Sequence, residues 1–151
     1  MNSNLLKVSG ELTLQRFDAA GQLVETRHHK NLVVTSGLTY IAARMSETGR
    51  PNQMSHMALG TSATTPSASD TALGAQAGSR EALTSQTPSG TSVTYVASFA
   101  AGSATGALTE AGIFNASSAG TMLCRSTFPV INKGASDSLV VTWVVSVSAA
   151  V

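Results

Sequence analysis

The sequence predicts an all-β domain: a jelly-roll-like β-sandwich of about eight strands with one short helix. Three observations carry this reading. Residues 91–101 place Val93, Tyr95, Ala97 and Phe99 on one parity, and a period of two marks a strand with one buried face. Residues 138–148 contain Leu-Val-Val-Thr-Trp-Val-Val-Ser-Val, a β-branched run of the kind found in central strands. Apolar runs recur every 8–15 residues between Gly-, Ser- and Pro-rich turns, and one segment alone has helical spacing. The 151 residues suit a single domain spanning 1–151.

Taken in order, residues 5–17 put Val8, Leu12 and Leu14 on one parity, with Gly10 between them. Asp18-Ala-Ala-Gly21 is a turn, with Asp at its start and Gly at its end. Gln22 to Lys30 resumes as a polar strand, so 5–30 is a hairpin. Met1 to Leu6 reads as an N-terminal arm. The helix is expected from about 37 to 47, capped by Ser36 and ended at Gly49-Arg-Pro51. Leu38, Ile41, Ala42 and Met45 would form its buried stripe. Met54 to Gly60 is a short strand. Residues 61–79, with Pro66 and Asp70, form a long loop, and loops of that length are commonly functional or poorly ordered. Further strands are expected at 80–87, 91–101, 108–115, 121–128 and 138–148.

Composition bounds the function. Ala, Ser and Thr make up 61 of the 151 residues, 11% are charged, and the net charge is +1. No single-sign field exists to hold nucleic acid or an anionic membrane. No apolar run approaches the ~18 residues of a membrane-spanning helix. Met1-Asn-Ser-Asn4 lacks a signal-peptide pattern. One cysteine allows no internal disulfide and no cysteine zinc cage. Ten of the 17 charged residues fall within 1–50. The rest of the surface must then be small and neutral, which suits close contact with other chains and points to an assembly component, a homodimer or trimer.

Candidates for chemistry are few. His28 and His29 are adjacent on a strand, so they face opposite ways. A metal site built from them with Glu25 or His56 is not expected. Cys124 has no base beside it and reads as a small buried hydrophobe. No Gly-x-Ser-x-Gly elbow occurs, and the carboxylates are scattered. Neither an enzyme nor a cofactor is expected. Glu110 stands out because it opens the apolar Ala111-Gly-Ile-Phe114. Buried there, it needs a cation, and Arg80 or Arg125 is expected to supply it.

The order of the longer segments is distinctive. Asn31-Leu-Val-Val-Thr-Ser-Gly-Leu38 and Ile41-Ala-Ala-Arg44 precede Met57-Ala-Leu-Gly-Thr61 and Pro66-Ser-Ala-Ser-Asp-Thr-Ala-Leu-Gly74. Glu110-Ala-Gly-Ile-Phe-Asn115, Gly120-Thr-Met-Leu-Cys-Arg125 and Pro129-Val-Ile-Asn-Lys-Gly134 follow, before the Trp143 strand. Over residues 30–148 this resembles the small structural proteins of tailed-phage virions, which include head-decoration (cement) and tail-fibre proteins. The resemblance implies a virion protein with no catalytic residues. Without heptads or repeats for a fibre shaft, decoration of the outer head surface is favoured, with the major capsid protein as partner. A tail-fibre or baseplate component is the alternative. The residues expected to meet the partner are Met1, Asn2, Ser3, Asn4, Leu5 and Leu6 of the arm, and Thr64, Thr65 and Pro66 of the loop.

Overall fold

The structure, a computed structural model, describes residues 5–150. Among them are ten strands and one helix. In chain order these are β1 (Leu5–Phe17), β2 (Leu23–Lys30), β3 (Leu32–Val33), α1 (Thr35–Arg44), β4 (His56–Gly60), β5 (Glu81–Ala82), β6 (Ser85–Ser89), β7 (Ser92–Phe99), β8 (Gly106–Phe114), β9 (Met122–Lys133) and β10 (Ser138–Ala150). They form two five-stranded antiparallel sheets. Sheet A runs β2-β1-β10-β7-β6 and sheet B runs β3-β9-β8-β4-β5. The protein is mostly β, as the alternating runs predict. The strand count exceeds eight because β3 and β5 have two residues each. No helix among the described residues is long and apolar enough to cross a membrane.

Parity explains sheet A. Leu12 lies opposite Trp143 and Leu14 opposite Val141. Trp143 in turn faces Tyr95, Val141 faces Ala97, and Leu139 faces Phe99. These side chains are buried in one core with Met57, Leu59, Leu108, Ile113, Cys124 and Ile131 of sheet B. The 5–30 hairpin forms as expected, with Gly21 in the left-handed region (φ 76°) closing the turn. Asp18 accepts the Ala20 and Gln22 N–H groups there.

Sheet B is buried on both faces along β4, most of β8 and the first half of β9, which alternation alone does not foresee. Phe114, Ala58, Met122 and Val34 form a second cluster outside the sheet, with Leu73 of the 61–79 loop packed against it. The loop therefore covers the outer face of β4, β8 and β9.

Three expectations are corrected. The arm does not extend to residue 6: Leu5 and Leu6 belong to β1 and pair with Ala150 and Ala149. Met1, Asn2, Ser3 and Asn4 lie outside the described residues. The helix spans Thr35–Arg44 and not 37–47, and its N-cap is Val34, with no side-chain cap. Ser36 instead donates its hydroxyl to the Met122 carbonyl, tying the helix to β9. Of the expected stripe of Leu38, Ile41, Ala42 and Met45, only Ile41 packs on the core. Gly37 is the helix's buried residue, and a Cβ there would strike the Leu123 carbonyl. That close approach brings Tyr40 and Ile41 against the core. Leu38 and Met45 are left 48% and 84% exposed.

Candidate functional site

The most organised polar cluster sits under the 61–79 loop. Glu110 lies on β8 and Arg125 on the neighbouring strand β9, where Glu110 pairs with Thr127 and Gly112 with Arg125. Both side chains are buried, at 0% and 2% exposure. Arg125 Nη2 donates to Glu110 Oε2 at 2.7 Å, and Nε donates to the same oxygen at 3.1 Å. The loop supplies the remaining donors: Ala75 N–H reaches Oε1 at 2.7 Å and Gly74 N–H reaches Oε2 at 3.0 Å. Arg125 Nη1 extends the network to Asp70 at 3.1 Å. Asp70 also accepts the Ser67 N–H and so shapes its own turn. Every charge is paired and hydrogen-bonded, which burial of ions demands.

Further bonds hold the loop at each end. Thr61 N–H donates to Ala75 O, Ala77 N–H to Leu59 O, and Thr35 N–H of the helix to Ala68 O. Gly60 and Gly74 are required at the clasp. A Cβ on Gly60 would meet the Glu110 carboxylate, and one on Gly74 would meet the Ser62 hydroxyl. Chemically the arrangement is an anchor. Both Glu110 oxygens already accept hydrogen bonds, so the carboxylate holds the loop and does not present itself to a ligand.

Of the two expected partners for Glu110, Arg125 takes the place. Arg80 lies over the Phe114 ring at 3.6 Å and donates to the carbonyls of Ala116 and Ala119 at 2.9 and 2.8 Å. Burial lowers its pKa. The structure adds Asp70, Gly74 and Ala75 to the cluster. A turn-forming Asp and a Gly in a Ser/Thr-rich stretch were the available signals, but nothing in the sequence states which strand the loop crosses.

The histidines separate as expected. His28 meets the Thr13 hydroxyl on the outer face, and His56 meets the Ser55 hydroxyl. His29 turns inward against Phe128, ring centroids 5.8 Å apart. Burial lowers its pKa, with Arg27 and His28 adding repulsion. Glu25 is claimed by arginines: Arg16 Nε at 3.0 Å and Arg27 Nη2 at 2.6 Å. Burial alone would raise its pKa, but the hydrogen bonds from Arg16 and Arg27 hold it below the usual carboxylate range. Arg16 also reaches Asp137 at 3.1 Å. Cys124 is fully buried, and burial pushes its thiol pKa well up. A half-open cavity of about 350 Å³ lies between α1 and sheet A, lined by Tyr40, Ile41, Arg44, Gln86 and Tyr95. Burial pushes the Tyr95 hydroxyl up to about 12.

The expected partner-facing residues are split. Thr64 and Thr65 are exposed on the clasped loop, with Pro66 half-buried beside them. Leu5 and Leu6 stand at the far end of β1, 59% and 76% exposed. Comparison with known proteins gives no match: no family model, no curated protein and no solved structure is significantly similar to this chain.

Proposed function

We propose that this protein is a structural component of a tailed-phage virion, a cement protein bound across major capsid protein subunits on the outer face of the head. The fold reading that goes with it is a β-sandwich, jelly-roll-like in having its first long strand and its last side by side within one sheet. One observation carries the proposal: a long loop, whose single charge Asp70 is paired with Arg125, is fastened to a sheet by the Glu110–Arg125–Asp70 network, while Thr64 and Thr65 stay exposed. A loop held in one shape before contact loses little entropy on docking. Its exposed side chains around Thr64 and Thr65 are small and uncharged, which allows close approach without desolvating ions. The order of sequence segments over 30–148 points the same way. Each copy would add buried interface across a joint between capsid subunits. Weak single contacts would sum through multivalent seating, opposing the pressure of packaged DNA.

The test is occupancy on purified particles, read by gel and by cryo-electron microscopy. Full-length protein should decorate the head, and particles without it should release DNA at lower temperature. Replacing Thr64, Thr65 and Pro66 together by Ala should lower occupancy while leaving the fold intact. Deleting Met1–Asn4, which leaves β1 whole, should weaken attachment as well. Glu110→Gln should lower occupancy by loosening the loop, since losing one charge of a buried pair costs about 3–5 kcal/mol. Density at the tail would replace the head reading with a tail-fibre or baseplate role. Particles equally robust without the protein would remove the cement mechanism.

A further inference from the structure

Strand β2 stays beside β1 only up to Lys30, which lies opposite Glu11. The chain then crosses to sheet B, where Leu32 and Val33 pair with β9. Strand β1 runs on without β2. Leu5–Gly10 are paired with Val145–Ala150 of β10 on one side. On the other side, Gly10 O accepts the Asn31 N–H at 3.2 Å. In an antiparallel strand, the N–H and C=O of one residue point to the same side, and alternate residues repeat it. Since Gly10 points toward the β2 lane, Leu6 and Val8 do too. Their backbone groups face a lane that β2 has vacated.

That lane is a groove of about 610 Å³. Leu6, Val8, Leu32, Val33 and Leu38 give it an apolar lining, with Lys7 and Lys30 at its rim. Leu6, Leu32 and Leu38 are 76%, 37% and 48% exposed, and Leu5 adjoins them at 59%. A strand edge with no partner strand among the described residues, next to exposed leucines, is a template for another strand.

We propose that the occupant is β1 of a second copy, giving a two-fold dimer in which the two A sheets join edge to edge. The patch is self-complementary, as a two-fold contact requires. One strand edge supplies alternating donors and acceptors, and an antiparallel copy of the same edge matches them. The contact also closes on itself, since each copy uses up the other's open edge.

Charge and sterics choose the register. A two-fold axis through Lys7 would set two ammonium groups directly opposite, which is destabilising in a sheet. An axis through Val8 would set the partner's Leu6 against Gly10, whose edge Asn31 already occupies. An axis through Leu6 avoids the lysine pair and sets no described residue of the partner against Gly10. It places Lys7 opposite the partner's Leu5. It also brings the partner's Leu6 into the lane lined by Leu32, Val33 and Leu38.

The inference concerns the free protein and does not depend on the virion reading. Sedimentation equilibrium should show a reversible species of twice the 15.4 kDa chain mass. A contact made by a single strand edge belongs with small, weak interfaces, so the series extends to roughly 100 μM. Leu6→Asp and Leu6→Pro should each return the mass to 15.4 kDa with unchanged circular dichroism. The proline removes an N–H that faces the lane and leaves β10 pairing alone. Under mild oxidation Leu6→Cys should cross-link to a covalent dimer, and Val24→Cys, also exposed (47%) but away from the lane, should not. A monomer across this range, a trimer, a dimer that survives Leu6→Asp, or equal cross-linking at residue 24 would each overturn the proposal. Loss of decoration with the dimer intact would bear only on the virion role.

Discussion

Trp143 shows how much one side chain on the right parity can carry. It is fully buried, flanked in register by Leu12 and Tyr95, and its Nε1–H donates to Asn31 Oδ1 at 2.9 Å. Gly10 makes that bond possible, because a Cβ at residue 10 would overlap the Asn31 carboxamide. Trp143→Ala should cost about 3–5 kcal/mol, the range for an aromatic truncated in a core. Denaturant unfolding measures it, and a loss below about 1 kcal/mol would contradict this packing. His29 gives a pH signature. Its folded-state pKa is lowered, chiefly by burial, so between the two pKa values the unfolded chain binds more protons. Stability from this group is therefore full above the ordinary value of 6.5 and is lost as pH falls below it. His29→Phe should flatten that part of the stability–pH curve. Glu25, whose pKa is also lowered, should keep the fall at lower pH.

At the scale of elements, the helix is where sequence and structure part company. Leu38, Ile41, Ala42 and Met45 have helical spacing and read as the buried stripe, yet of these only Ile41 packs on the core, beside Gly37 and Tyr40. The decisive contact is backbone against backbone: Gly37 rests on the Leu123 carbonyl, and Tyr40 Oη accepts the Met54 N–H at 3.1 Å. A hydrophobicity pattern counts side chains and is blind to a glycine that lets two backbones touch. Gly37→Ala should therefore destabilise the fold by more than 1 kcal/mol, a penalty of the overpacking kind, whereas Leu38→Glu should change monomer stability by less than about 0.5 kcal/mol. Thermal melts of the two variants at low concentration compare them, and the reverse ranking would restore the original stripe. The strands were legible for the opposite reason. A period of two survives any register, so Val93 to Phe99 and Leu139 to Val145 reveal their inner faces without knowledge of their neighbours. At the clasp, the need of Glu110 for an arginine was legible because a carboxylate in an apolar run demands a cation, but the choice of Arg125 over Arg80 was not, since it depends on strand register. Asp70, Gly74 and Ala75 were not, because their role depends on where a long loop crosses the sheet.

At the scale of the whole molecule, the two sheets have little freedom to unfold separately. Their inner faces contribute to a single cluster that contains Trp143 of β10 and Cys124 of β9. Chain crossings from β2 to β3 and from β9 to β10 tie the sheets covalently. The 61–79 loop closes the outer face of sheet B, with Leu73 over Gly112 and Phe114. These features favour one cooperative transition, and the chain carries a reporter for each sheet, since it has a single tryptophan and a single cysteine. Cys124 is fully buried with its thiol pKa raised by burial, so a thiol reagent can reach it only after β9 opens. Denaturant titrations followed by Trp143 fluorescence and by Cys124 labelling should therefore share one midpoint, the mark of two-state unfolding. Under native conditions the labelling should be slow and should report global opening. Substituting Glu110 tests what the clasp adds: Glu110→Gln should shift both midpoints together, because Arg125 belongs to the same strand as Cys124 and that strand shares the core with Trp143. Labelling of Cys124 well before the loss of Trp143 fluorescence would mean that sheet B opens alone, with the loop clasp, and not the shared core, setting its stability.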